Sequence, residues 1–180
     1  MYRNRLRFAI SNYSMRREEC RVELIDWQRW QPTERANLCF VVRDGQVLLI
    51  RKKRGLGAGK INGPGGRNEL NETPVQAAIR ETQEEVGVTP TGLEEIGELN
   101  FQFVDGYKLL VAVFIASGCD GQLRETDEAS PMWVPVAAIP YAGMWQDDPH
   151  WLPLLLARKR FRGYFCFEEE ALLSHMVDLL

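Results

Sequence analysis

The chain predicts an α+β fold, a mixed β-sheet sandwiched between α-helices, on three observations. Several short β-rich runs outnumber the helical stretches, the helical stretches are separated by groups of strands, and one helix carries explicit start and stop signals. Residues 38–42 and 46–51 are two apolar runs joined by Arg43-Asp44-Gly45. Asp-Gly between hydrophobic runs favours a hairpin, because both residues tolerate positive φ. Thr73-Pro74-Val75-Gln76 then has the form of a capping box with proline at the first helical position. Gly87 and Pro90 mark the stop about fourteen residues on. Residues 95–104, 107–116, 132–135 and 163–167 read as further strands, and 151–158 and 168–179 as helices.

A length of 180 residues suits one domain with its own core. Up to Arg35 there are eight arginines, no lysine and five acids, so this segment carries +3 and the remainder −6. Residues 1–35 therefore read as an N-terminal extension packed on, or leading into, a domain of residues 36–180. The arginine-rich, acid-free first seventeen residues would also suit a transit peptide, but a structured extension or partner-binding arm is the expectation. Apolar residues at 45% and charged residues at 26% exclude disordered and fibrous classes. The longest apolar run, residues 109–116, is too short to cross a bilayer, so a cytoplasmic protein without a membrane partner is expected. Cys20, Cys39, Cys119 and Cys166 lie far apart, and the only histidines are His150 and His175. A Cys/His zinc site thus lacks clustered ligands, and reduced thiols are expected. A net charge of −3 argues against binding a nucleic-acid polymer by electrostatics alone; a monomer acting on a small molecule is expected.

On the capped helix Glu81, Glu84 and Glu85 stand at i, i+3 and i+4, which places three carboxylates on one narrow face. Val75, Ala78, Ile79, Thr82 and Val86 form the adjacent face, expected to pack on the sheet. Clustered anions repel unless a cation neutralises them, and oxygen ligands at this spacing suit hard Mg²⁺ or Mn²⁺. A solvated acidic face salt-bridged to Arg80 would give the same pattern. The segment before the helix, GLGAGKINGPGG at 55–66, allows close backbone approach to a ligand. It is not a Walker loop, because Lys60 is followed by Ile61.

Taken together, residues 63–88 match the Nudix box, with Gly66, Glu72, Arg80, Glu81, Glu84, Glu85, Gly87 and Val88 in register and Thr82 the one departure. The chain resembles the Nudix hydrolases. A closer similarity to the 8-oxo-dGTP diphosphatase (MutT homologue) branch runs from residue 37 to about 167, carried by KKRGLGAGKINGPGG at 52–66 and IPYAGMWQDDPHWLPLLLARKRFRGYF at 139–165. The resemblance implies the Nudix fold and a nucleoside triphosphate substrate, cleaved to the monophosphate and pyrophosphate. It implies Mg²⁺ held by Glu81, Glu84, Glu85 and a backbone carbonyl near Gly65, with Glu72 structural or a distal ligand and Arg80 orienting a glutamate. It further implies that Asn62, Asp147 and Asp148 hydrogen-bond the base, that Trp145 and Trp151 pack against it, that Lys52 lies near the base pocket or the phosphates, and that Phe101 and Phe103 are pocket aromatics.

From the residues alone, Asp147-Asp148-Pro149 reads equally as a polar turn before a helix, with both tryptophans in the core. Asn37, Leu56, Ile61 and Pro64 differ from the branch pattern, which reshapes the expected pocket wall. That leaves room for another nucleotide or nucleoside diphosphate derivative as substrate. The arginine-rich extension leaves room for a noncatalytic nucleotide- or RNA-binding relative. Residues 107–110 supply no acid, so the general base falls to Glu84 or Glu128.

Overall fold

The computed structural model describes residues 15–180. Asp44 and Gly45, at φ 51° and 73°, form the two-residue loop that folds β1 (Glu34–Arg43) back on β2 (Gln46–Lys52). Positive φ at both positions matches the twist of the paired strands. β1 then runs parallel to β6 (Lys108–Ala116), with residues 34–41 opposite 109–116. β6 pairs antiparallel with β5 (Glu94–Phe103), β5 runs parallel to β9 (Phe161–Glu168), and β10 (Ala171–Leu179) closes that edge. On the other side β2 pairs with β3 (Ile61–Asn62) and β8 (Ala129–Pro135), and β4 (Val88–Thr91) and β7 (Gly118–Gly121) form a separate ladder.

α1 (Pro74–Val86) begins and ends where the caps predict. The Gln76 amide donates to the Thr73 hydroxyl at 3.2 Å, the Thr73 amide donates to the Gln76 side chain at 2.9 Å, and Gly87 at φ 78° ends the helix. Ala78 and Val86 of α1 pack on Cys39, Val41, Leu48, Ile50 and Phe114. The neighbouring residues Phe40, Val47, Leu49 and Val113 face the opposite side, under Trp151, Leu152 and Leu155 of α2 (Asp148–Leu156). β1, β2 and β6 are thus apolar on both faces, as strands sandwiched between helices must be.

Residues 15–33 cover the rest of the α1 face. Two 3₁₀ turns, Arg17–Glu19 and Val22–Leu24, lay Cys20 and Val22 on Cys166. Trp27 packs on Tyr164 at 4.8 Å, and the Trp30 indole donates to Gln102 at 3.0 Å. The arginines at 3, 5 and 7, and with them the proposed arm, lie outside the described residues.

Three expectations need correction. Residues 168–179 form no helix: β10 pairs with β9 from Glu168 onward, after a turn with Glu169 at φ 52°. A bulge between Leu172 and Ser174 inserts one extra residue, so that Leu172 and Val177, an odd number of residues apart, both pack on the α2 side while Leu173 packs on the extension. The extra residue breaks the period of two and imitates a helical repeat. Val75, expected on the packing face of α1, is 44% exposed in the first turn, and Ala77 is buried instead. The short strands β3, β4 and β7 have no counterpart in the sequence reading, because two to four residues carry too little periodicity. Among the described residues no helix is long and apolar enough to cross a membrane.

Candidate active site

α1 delivers its acids to the loop that precedes it. Gly65, at φ 155°, sits so close to β1 that a Cβ would fall on the Asn37 backbone, and a Cβ on Gly66 would fall on the Glu81 carboxylate. Only glycine allows loop and helix this close. The approach is fixed by Cys39 and Asn37, whose amides donate to the Pro64 and Gly66 carbonyls at 2.8 and 2.9 Å, flanking the Gly65 carbonyl. Glu85, 2% exposed, accepts from the Gly65 amide at 2.9 Å and pairs with the Lys52 ammonium at 3.4 Å. Arg80 grips both oxygens of Glu72 at 2.8 and 2.9 Å, and reaches Glu81 at 2.9 Å and Glu84 at 3.0 Å.

Four carboxylates here face two cations, an excess of two negative charges. Burial raises the affinity of Glu81 for its proton, Arg80 and Lys52 oppose that rise, and Glu84 adds to it. Burial likewise raises Glu85, which Lys52 and the Gly65 amide offset and the Glu81 charge reinforces. A hard divalent cation fits this set of carboxylate oxygens and a flanking carbonyl, because it supplies the two missing charges. Among the described residues no three His, Cys, Asp or Glu side chains converge into a finished metal cage. Arg80 binds one oxygen each of Glu81 and Glu84 and so leaves their second oxygens for a cation.

The second group of residues lies under the α2 face. Asp147 and Asp148 are 3% and 2% exposed. Asp147 accepts from the Trp151 indole N–H at 2.8 Å, and Asp148 from the Trp145 amide at 2.9 Å. Burial pushes Asp147 up to about 6 against the pull of the Trp151 bond, and burial and then the Asp147 charge push Asp148 further up, with Lys60 opposing. Phe101 stacks on Phe165 at 5.3 Å, Phe103 on Phe167 at 5.7 Å, and Trp145 meets Phe167 edge-on at 6.0 Å. The half-buried Asn62 on β3 accepts from the Gly63 amide at 2.8 Å.

Other expected positions fall elsewhere. Trp151, expected to pack against a base, is fully buried between Phe40 and Phe161 and donates its indole N–H to Asp147. Lys52 lies with the glutamates. Asn37 points away from the aromatic side: its Nδ2 donates to the Gly66 carbonyl at 3.1 Å and to Asn68 at 3.2 Å, while its buried Oδ1 has no partner among the described residues. The Thr82 hydroxyl donates to the Ala78 carbonyl at 2.7 Å, so the departure from the aliphatic pattern is satisfied within the helix. Glu128 is ion-paired with Arg54. Lys60, named in the sequence only to exclude a Walker loop, was missed as a site residue: its ammonium lies 4.9 Å over the Trp145 ring and 3.1 Å from Glu170. Its only signal was proximity to Asn62. A cavity of about 350 Å³ between Glu95, Gly97, Arg160 and Leu180 lies at the other end of β5 and β9 from Phe103 and Phe167, and gathers none of these acids.

The NUDIX domain model matches residues 32–155, more than half of the chain, including the glutamates of α1 and the Asp147–Asp148 pair. The chain belongs to the NUDIX family. It is similar to the oxidized purine nucleoside triphosphate hydrolase of Danio rerio, 45% identical over 143 residues that cover 78% of this chain and 92% of the relative. The Mus musculus protein of the same name is 40% identical over 134 residues, covering 74% and 86%. Among solved structures, a MutT protein from Bacillus halodurans superposes with a TM-score of 0.73 at 26% identity, covering 81% of this chain and 97% of that one. The chain is accordingly a Nudix hydrolase with the α+β Nudix fold, from a family whose members generally use a divalent metal.

Proposed function

We propose that this Nudix hydrolase converts oxidised purine deoxynucleoside triphosphates, 8-oxo-dGTP among them, to the monophosphate and pyrophosphate. The observation that carries the reading is the buried Asp147–Asp148 pair beside an aromatic surface. Two adjacent carboxyls in an apolar setting cannot both ionise at low cost, so one stays protonated. Asp148, with the larger rise, donates to the purine carbonyl, while Asp147 accepts from ring N–H groups. Each keeps one oxygen for the base after its bond to Trp151 or Trp145. Trp145, Phe101, Phe103 and Phe167 supply the apolar contact, and Lys60 steadies Trp145.

At the other group Glu81, Glu84, Glu85 and the Gly65 carbonyl would hold Mg²⁺, with Mn²⁺ an acceptable substitute. Bound there, the ion supplies charge neutralisation for the phosphate oxygens and a lower pKa for the attacking water. The protein's own part is orientation. Arg80 and Lys52 hold the glutamates in place, and Glu84, the most exposed of the three, accepts the water proton. Water attacks the β-phosphorus and the monophosphate leaves. Composition supports a cytoplasmic monomer.

A second reading keeps the chemistry and changes the base, because Leu56 is half exposed where the related branch carries an aromatic, and Ile61 is buried where it carries tryptophan. Turnover of a purine triphosphate panel with Mg²⁺ separates the two. The sanitising reading requires kcat/KM for 8-oxo-dGTP to exceed that for dGTP by roughly 10²-fold or more, since mismatched buried polar groups cost that much. Equal values would establish the second reading.

A further inference from the structure

Cys20 and Cys166 come from segments far apart in sequence, yet both side chains are fully buried in one small cluster beneath the N-terminal extension. Four contacts fix their placement. Cys166 on β9 has Gln102 of β5 as its cross-strand partner on one side and Ser174 of β10 on the other. The Cys20 thiol donates to the Gln102 carbonyl at 3.6 Å, and the Val22 amide donates to the Ser174 hydroxyl at 2.9 Å. The 20–22 segment is therefore pinned at both neighbours of Cys166, with the Cys20 sulfur held over that position. Both cysteines are free thiols.

We propose that Cys20 and Cys166 form a dithiol site that closes to a disulfide under oxidising conditions, joining the extension covalently to β9. The oxidant is a small-molecule disulfide. The Cys20 thiolate attacks it, displacing one thiolate and leaving a mixed disulfide. Cys166, after losing its proton, attacks the Cys20 sulfur and displaces the second thiolate. Two electrons and two protons leave the protein, and the oxidant is reduced to two thiols. The roles follow from the environment. The hydrogen bond from Cys166 lowers Cys20 below the ordinary thiol range despite burial, whereas that same bond and burial raise Cys166. Access comes through opening of the extension, a short segment of 3₁₀ turns, the kind of element that opens at low free-energy cost. Closure shortens the free chain of the unfolded state and should stabilise the fold.

The proposal stands apart from the substrate reading and is tested on the full chain equilibrated with glutathione disulfide, quenched in acid, alkylated and mapped by peptide mass. The expected result is loss of two of the four thiols, one peptide pair joining residues 20 and 166, and a rise in Tm of roughly 5 °C or more, all reversed by dithiothreitol. With folding checked by far-UV circular dichroism, C20S should keep all three remaining thiols, whereas C166A should stop at glutathione on Cys20, with no internal bond, and keep two. In the parent chain, persistence of all four thiols, glutathione on Cys20 with no internal bond, or a bond using Cys39 or Cys119 would each overturn the proposal.

Discussion

Asp148 and Arg80 carry the two halves of the chemistry, and single substitutions separate them. Asp148→Leu should keep metal-dependent turnover of a poor substrate but reduce kcat/KM for 8-oxo-dGTP by roughly 10²-fold, because leucine can neither donate to the purine carbonyl nor accept from the Trp145 amide. An unchanged ratio to dGTP would remove Asp148 from base recognition. Asp148 also bears on stability. Its carboxyl and that of Asp147 titrate higher in the folded chain, so their contribution is present below the ordinary carboxyl range and is lost as pH rises through about 6 and beyond. Urea unfolding should accordingly show Asp148→Asn gaining stability relative to the parent between pH 5 and pH 8. A difference independent of pH would contradict the buried pair. Arg80 has no conservative replacement, since lysine cannot grip both oxygens of Glu72 while reaching Glu81 and Glu84. Arg80→Lys should weaken metal affinity or kcat by about 10- to 100-fold, measured by Mg²⁺ titration of activity.

α1 was legible in the sequence because its signals are local. Thr73, Pro74 and Gly87 state where it starts and stops, and three glutamates at helical spacing state which face is polar. Thr73→Ala should lower stability by about 1 kcal/mol in thermal unfolding, leaving the Gln76 amide without its cap. β10 was not legible. Leu172, Leu173, Met176 and Val177 mimic a helical stripe, and only pairing with β9 across the bulge reveals a strand. Trp151 is a different case: the resemblance set it against the base, the residues alone also allowed a core position, and the turn of α2 carries it into the core, where it steadies Asp147 from behind.

Across the whole chain, the sheet's two apolar faces were readable from alternating positions in β1, β2 and β6, whereas the extension was expected on or beside the domain without a sign of which of its residues are buried. Residues 15–33 advertise charge, yet they bury Cys20, Val22 and Trp30 on β5, β9 and β10. Trp30→Ala should cost about 3–5 kcal/mol in denaturant unfolding, since it empties a large volume and leaves the buried Gln102 side chain without its donor. The site divides in the same way. Glu81, Glu84 and Glu85 follow from one helical turn, but Lys60 over Trp145 and the Gly65 amide on Glu85 arise only when distant segments meet. The most direct test is the turnover of 8-oxo-dGTP with Mg²⁺ by Glu85→Gln, which keeps shape and removes charge. Loss of at least about 10²-fold in kcat, with pyrophosphate the product of the parent enzyme, is the predicted result; undiminished activity would contradict it.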